Sequence, residues 1–378
     1  MNRRLLQMAL AIGACIGACT AAPEGPTDTP EWQLSPEPTL VIGSDSTPET
    51  TFGAIGGVAS LPSGEVAVVD RQAAEIRVFG PDGGYRRTIA RRGRGPGEFE
   101  EILWIQQAGD TLLVREAERG TVTVLGGDGG AYRIVPRGVD SAGRSISLTR
   151  RLPGGRWLAV IDAPWVNPGL DAFRQESVTV GMLGPDGAPP FVPLARLGGE
   201  PLVLIPATRT FDFSRFHVSG IPLLVGNRVA LIYPDTGVVR LFNDAGAAVG
   251  EFKIPMPRRA LTDAMVSEVL ARDESAARTD RIRAQVARFV EAEPKPVFLP
   301  MLRQAWADGD DTLWFLEFDL DLSAPERYHI VRDDGILLGV LTAPPRFRLR
   351  EVGPDWVLGV RTDQDGVEQV VRYALTRR

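Results

Sequence analysis

The chain is poor in the residues on which many active sites are built. Of 378 residues only two are cysteine, Cys15 and Cys19, and only two are histidine, His217 and His329. Both cysteines fall in an apolar N-terminal stretch that reads as an export leader. The folded part is therefore expected to hold no disulfide, no thiolate zinc site and no cysteine nucleophile. The histidines are far apart in sequence, which argues against a histidine-rich zinc site and makes each a candidate structural residue. No G-x-S-x-G elbow is present, and nothing in the spacing supports a Ser-His-Asp triad. Positive charge is not in excess either. Lys+Arg 42 against Asp+Glu 48 gives a net charge of -6, so no generic attraction to nucleic acid or anionic lipid is expected.

What is abundant is turn chemistry. The 41 glycines and 30 prolines are spread along the chain rather than clustered, which points to many short strands. With 44% hydrophobic and 24% charged residues, the composition is that of a globular protein with a large core. A turn followed by an alternating or apolar run recurs six times: LPSGEVAVVD from Leu61, QAGDTLLVRE from Gln107, LPGGRWLAVID from Leu152, LVGNRVALIY from Leu224, ADGDDTLWFLEF from Ala307 and VGPDWVLGVR from Val352. The glycines at 64, 109, 154, 226, 309 and 353 are separated by 45, 45, 72, 83 and 44 residues. The two long steps hold insertions. Asp-Gly and related turns follow in phase, as in FGPDGG from Phe79 and VRDDG from Val331, and such dipeptides favour hairpins because glycine tolerates positive φ. Four-stranded units of this length predict an all-β fold, a six-bladed β-propeller of antiparallel blades. The sixth unit supplies only three strands, so Thr39 to Ile42 is expected to complete the last blade and close the ring, which removes exposed strand edges.

From Gly56 to Phe99 the sequence GGVASLPSGEVAVVDRQAAEIRVFGPDGGYRRTIARRGRGPGEF resembles an NHL repeat, with its G-x-x-x-V-x-D strand end, its I-x-V-F strand and its G-x-G-P-G-E-F passage into the next blade. The other units are degenerate copies. Over the mature chain the resemblance is to bacterial six-bladed β-propeller lipoproteins related to NHL proteins, a group largely without assigned activity. It implies a propeller behind a lipid anchor. The leader fits this, with Arg3 and Arg4 ahead of an apolar run from Leu5 to Ala18 that is shorter than the roughly 20 residues of a transmembrane helix. Ile16-Gly17-Ala18-Cys19 resembles a lipobox, and Cys15 fits the same pattern. The expected organisation is a signal peptide over 1–18, lipidation at Cys19, a flexible tether over 19–38 and a propeller over 39–378. The expected location is the cell envelope, on the outer membrane facing the periplasm or the cell surface.

Nine residues, RRGRGPGEF from Arg91, look like a phosphate-cradling loop. No Lys-Ser/Thr and no helix start follow them, so neither a Walker loop nor a dinucleotide fingerprint is present. The glycines are expected to carry the chain from the outside of blade 1 to the centre of blade 2, with Phe99 wedged between the two. Loops sharing that face nominate a channel-mouth binding set of Arg92, Arg94, Arg71, Glu116, Trp165 and Tyr233. Trp165 comes from the insertion APWVNPGLDAF, residues 163–173. A second insertion, 259–293, reads as two helices, one capped by Thr262 with Met265, Val266, Val269 and Leu270 on one face, the other striped by Ile282, Val286, Phe289 and Val290. These helices are expected to pack on their own propeller, the alternative being a lid or docking surface. Together these features suggest a monomeric, non-enzymatic scaffold with no cofactor, binding a protein, peptide or glycan at the channel mouth. The alternative is a lactonase-like hydrolase or lyase with calcium in the channel, for which Glu317 and Asn227 are candidate ligands. DGDDT at Asp308 to Thr312 and FDLDLS at Phe318 to Ser323 are carboxylate-rich, but neither has the full calcium-loop pattern.

Overall fold

A computed structural model describes residues 29–44, 47–130, 132–161, 173–205, 210–309 and 311–377. Six antiparallel sheets follow one another along the chain, and the chain folds as a six-bladed β-propeller. In blade 1 the strands are Ile55–Ser60, Val66–Asp70, Glu75–Phe79 and Tyr85–Arg92, joined by turns in which Gly64 and Gly83 both adopt φ of +81°. Alternation is weak in the second strand, where Val66 to Asp70 are all buried, because each blade is packed on both faces by its neighbours. The remaining blades start with Ile102–Ala108, Ser145–Arg151, Ile221–Val225, Leu302–Ala307 and Phe347–Val352.

There is no single core. Each pair of adjacent blades shares an apolar cluster, from Leu112 and Phe99 between blades 1 and 2 round to Ile42, Phe79 and Leu358 between blades 6 and 1. The four junctions between are filled in the same way, by Trp157, Met182, Phe315 and Phe347 among others. Closure is as expected: Leu40–Ile42 pairs antiparallel with Glu368–Thr376 in the last blade, Leu40 opposite Arg372 and Ile42 opposite Val370. A second contact comes from further upstream, within the segment expected to be a tether. Gln33–Leu34 pairs with the same strand, Trp32 donates its N–H to the Val340 carbonyl at 2.8 Å, and its indole sits edge-on to Trp314 at 5.6 Å. Burial of an aromatic of this size stabilises by about 2–3 kcal/mol, so the ring is pinned across blades 5 and 6 as well as closed. The leader, with Cys15 and Cys19, lies outside the described residues.

The two long sequence intervals have different origins. In blade 3 the strands Phe173–Leu183 and Val192–Ile205 run past the ring as a long hairpin, extended by Thr210–Phe213. Between blades 4 and 5 stand α1, Asp263–Ala276, and α2, Asp280–Ala292. Thr262 caps α1 and Thr279 caps α2, each hydroxyl accepting a backbone N–H at 3.3 Å. Val269 of α1 packs on Phe216, Leu299 and Phe318. Phe289 and Val290 of α2 pack on Val203 of the hairpin. The apolar stripes thus cover the protein's own propeller through Met265, Val266, Val269, Leu270, Phe289 and Val290, while Ile282 stays exposed. No helix among the described residues is long and apolar enough to cross a membrane.

Candidate functional site

The first strand of every blade faces the ring axis, and together these six strands enclose a cavity of about 540 Å3. Its wall is chemically divided. Blade 1 offers Gly56, Gly57 and Ala59, blade 4 offers Ile221, Leu223 and Leu224, and blade 2 offers Trp104 with Gln106. Blades 3, 5 and 6 offer Arg150, Arg303 and Arg350.

A common backbone device places these residues. Between Ile55 and Gly57, Ile102 and Trp104, Leu148 and Arg150, Leu302 and Gln304, and Leu349 and Glu351, the inner strand carries one residue more than its partner. Such a bulge bends the strand and re-aims its side chains. The aliphatic residue before each bulge is buried and anchors the strand between blades. The residue in the bulge or just after it is turned to the channel. Arg303 and Arg350 are the extra residues of their bulges, and Arg150 follows the extra residue Thr149. In blade 4 the register is unbroken, and its contribution to the wall is aliphatic.

None of the three arginines has a carboxylate within ion-pair distance among the described residues. Arg150 donates to its neighbour's carbonyl, Thr149, at 2.9 Å and lies 5.3 Å from the ring centre of Trp104. Burial pushes its guanidinium below the ordinary arginine range. Arg303 donates to the Asp319 carbonyl and covers Phe318 at 5.3 Å; burial lowers it too, with Glu326 and Asp319 acting in the opposite direction. Arg350 is lowered by burial and by Arg348, and its Nε is buried without an acceptor among the described residues. A buried charge without a counter-ion costs several kcal/mol. The remaining charged residue of the wall is Glu351, whose Oε2 accepts from the Ser60 N–H at 3.0 Å and hydroxyl at 2.9 Å. Burial holds its carboxyl above the ordinary glutamate range, against the pull of Ser60.

This wall does not suit a divalent cation. Its formal charges are three guanidiniums and one carboxyl group, and among the described residues no three His, Cys, Asp or Glu side chains are grouped to share an ion. Glu317 and Asn227 do not converge. Glu317 ends the second strand of blade 5, where its Oε2 meets His329 Nε2 at 3.1 Å and this hydrogen bond draws its pKa down. Asn227 is exposed in the hairpin turn that opens the second strand of blade 4, at the other end of the blades.

The rim residues nominated by the sequence that fall among the described residues, Arg71, Arg92, Arg94, Glu116 and Tyr233, do not line the channel wall. Arg92 donates to the Gln72 carbonyl at 2.6 Å. Arg94 pairs with Glu100 at 2.6 Å, the Glu100 N–H donates to Glu116 at 3.2 Å, and Arg119 reaches both Glu116 at 3.5 Å and the Arg94 carbonyl. Arg92, Arg94 and Glu116 are thus brought together, as a brace of the junction between blades 1 and 2. The glycine-rich passage does what was expected of it: Arg91–Arg92 pairs in parallel with Glu98–Phe99, and Phe99 is buried between the blades. Arg71 is exposed in the loop after Asp70. Tyr233 stands apart in blade 4, donating to the Arg196 carbonyl at 3.2 Å. Trp165 lies outside the described residues. Sequence reasoning missed Arg150, Arg303 and Arg350. The available signal was an arginine one or two positions after a leucine in the first strand of a unit, a position that the meander carries to the axis.

No protein-family model matches the chain, and no curated protein sequence matches it significantly. Solved structures do. A member of the DUF4221 family from Bacteroides vulgatus aligns with TM-score 0.51 and 8% identity, covering 93% of this chain and 100% of its own. A putative exported protein from Bacteroides fragilis aligns with TM-score 0.47 and 9% identity over 92% of this chain and 95% of its own. A gluconolactonase from Xanthomonas campestris aligns with TM-score 0.47 and 12% identity over 91% and 100%, and virginiamycin B lyase from Staphylococcus aureus is among further matches. At these identities the likeness is one of fold. The expectation of a scaffold working through its rim is corrected here on geometry: the charged rim residues Arg94 and Glu116 are tied up in bracing the junction between blades 1 and 2, whereas Arg150, Arg303 and Arg350 gather on the channel.

Proposed function

We propose that the protein is an enzyme that works in its central channel on a small anionic substrate, as a hydrolase or lyase. The observation that carries this reading is the convergence of Arg150, Arg303 and Arg350, from three blades, on one cavity without carboxylate partners among the described residues. An anion entering the channel supplies the counter-charge that the fold withholds, and each charge-assisted hydrogen bond gained there is worth about 1.5–3 kcal/mol. The same donors, fixed before the substrate arrives, stabilise negative charge that develops on an oxygen as an ester or lactone bond opens or as a proton leaves a carbon beside a carboxylate. Glu351 is the proton-transfer group. Burial lets its carboxyl keep a proton to higher pH than a free glutamate does, and the Ser60 hydroxyl and N–H orient it.

Because the wall offers guanidiniums for an anion and one carboxyl group that can transfer a proton, carboxylate-bearing lactones and esters are the first substrates to assay. Turnover by the wild type at neutral pH is expected to fall by about tenfold or more in Arg150→Met and in Glu351→Gln, with folding retained by circular dichroism. Equal turnover in wild type and both variants would overturn the reading.

The proposed setting is extracytoplasmic, with the chain held to the cell envelope through a lipid on Cys19 in the manner of the propeller lipoproteins it resembles. The charged and apolar leader supports this. Incorporation of labelled palmitate by the wild type, and its loss in Cys19→Ser, is the check.

A further inference from the structure

A second cavity of about 470 Å3 shares Arg303 with the channel wall. This antechamber is framed by the helical insertion through Arg272, by the end of the blade 3 extension through Phe213, and by the loop after blade 5's second strand through Phe318 and Leu322. Its charges are largely spent on one another. Asp273 is held by Arg215 at 2.5 Å and by Arg272 at 3.3 Å, Arg272 also donates to the Leu320 carbonyl at 2.5 Å, and Asp212 folds back on the Phe213 N–H at 2.8 Å. Its apolar members are not spent. Phe213 is 62% exposed and Leu322 is 72% exposed, two large apolar side chains left to water at the approach to a cationic channel. Arg303, which lines both cavities, lies over the Phe318 ring at 5.3 Å.

We infer that the substrate is an anionic amphiphile: its charged head enters the channel among Arg150, Arg303 and Arg350, and an alkyl or acyl chain lies in the antechamber against Phe213 and Leu322. This rests on the channel reading above and adds the apolar part of the substrate. The charge order fits one ligand orientation only, because the guanidiniums line the channel and the unpaired apolar surface lines its approach. Burying such a chain removes both its own apolar surface and that of the two exposed side chains from water.

The test is a calorimetric titration of the full chain with methyl, butyl, hexyl and octyl phosphate, each kept below its micellar concentration. Affinity is expected to rise along the series by about two- to fourfold per methylene buried. In Phe213→Ser/Leu322→Ser, octyl phosphate is expected to bind at least about tenfold more weakly than to wild type while methyl phosphate is unchanged. Both side chains are exposed, so the variant is expected to melt with the wild type. Affinity independent of chain length, or a chain-length dependence unaltered in the double variant, would overturn the inference while leaving the channel reading intact. Failure of every member to bind, methyl phosphate included, would sink the channel reading and the inference with it.

Discussion

At the edge of the ring Arg94 is 76% exposed with its guanidinium on Glu100, whereas in the channel Arg150, Arg303 and Arg350 are half-buried with no carboxylate in ion-pair reach among the described residues. Both sets are arginines, and in sequence the first is the conspicuous one, three arginines within nine residues. The difference is in what each environment asks of a cation. At the rim water solvates the charge and a mobile carboxylate meets it, so the pair costs and contributes little. In the channel the half-buried charges have less water, and Arg150 and Arg303 meet carbonyls and aromatic faces rather than carboxylates among the described residues. Such a site is unfavourable to the empty protein, and a bound anion relieves it.

The largest expected effect is on anion binding. Arg150→Met should weaken methyl phosphate by about tenfold to a hundredfold and raise the melting temperature of the ligand-free protein by a few degrees, because an unpaired buried cation has been replaced by an apolar side chain of similar length. Calorimetry reads the first and differential scanning calorimetry the second. A variant that binds normally would remove the contrast between the two regions.

An intermediate effect concerns pH, since Glu351 in the channel and Glu100 at the rim are moved in opposite directions. Burial raises Glu351, so the folded state holds its proton more tightly than the unfolded state. Its contribution to stability is therefore greatest in acid and falls as pH climbs from the ordinary glutamate range through the raised value. Arg94 lowers Glu100, which contributes above the ordinary range and is lost as pH falls. Urea unfolding between pH 4 and pH 8 should show a decline in wild type that Glu351→Gln flattens and Arg94→Ala does not. The smallest expected effect is that of Arg94→Ala itself, a shift of the melting midpoint of no more than about one or two degrees with methyl phosphate binding unchanged.

The fold was legible because its rules are local. Hairpin turns at fixed intervals, alternating runs and a missing fourth strand are written in adjacent residues, and the positions of Ile55–Ser60, Trp356–Thr362 and Leu40–Ile42 follow from them. Less legible was the second closure by Trp32, an indole in a polar, proline-rich segment whose partner Trp314 is far along the chain. The candidate site was the least legible part. Arg150, Arg303 and Arg350 are isolated in sequence, each in a different blade, and only the ring brings them onto one axis. Their aim depends on a bulge, a mismatch of one residue between paired strands that neither strand shows alone. The glycines and arginines from Arg91 to Gly97 drew attention for a reason that proved conformational, since the turn needs positive φ at Gly97, at +73°.

The central claim is that the channel is built for an anion. Crystals soaked in selenate, with the ion located by its anomalous scattering, test it most directly. The account predicts a selenium peak inside the ring, within hydrogen-bond reach of at least two of Arg150, Arg303 and Arg350. A peak only at the Arg92 and Arg94 rim, with the channel filled by water alone, would contradict it.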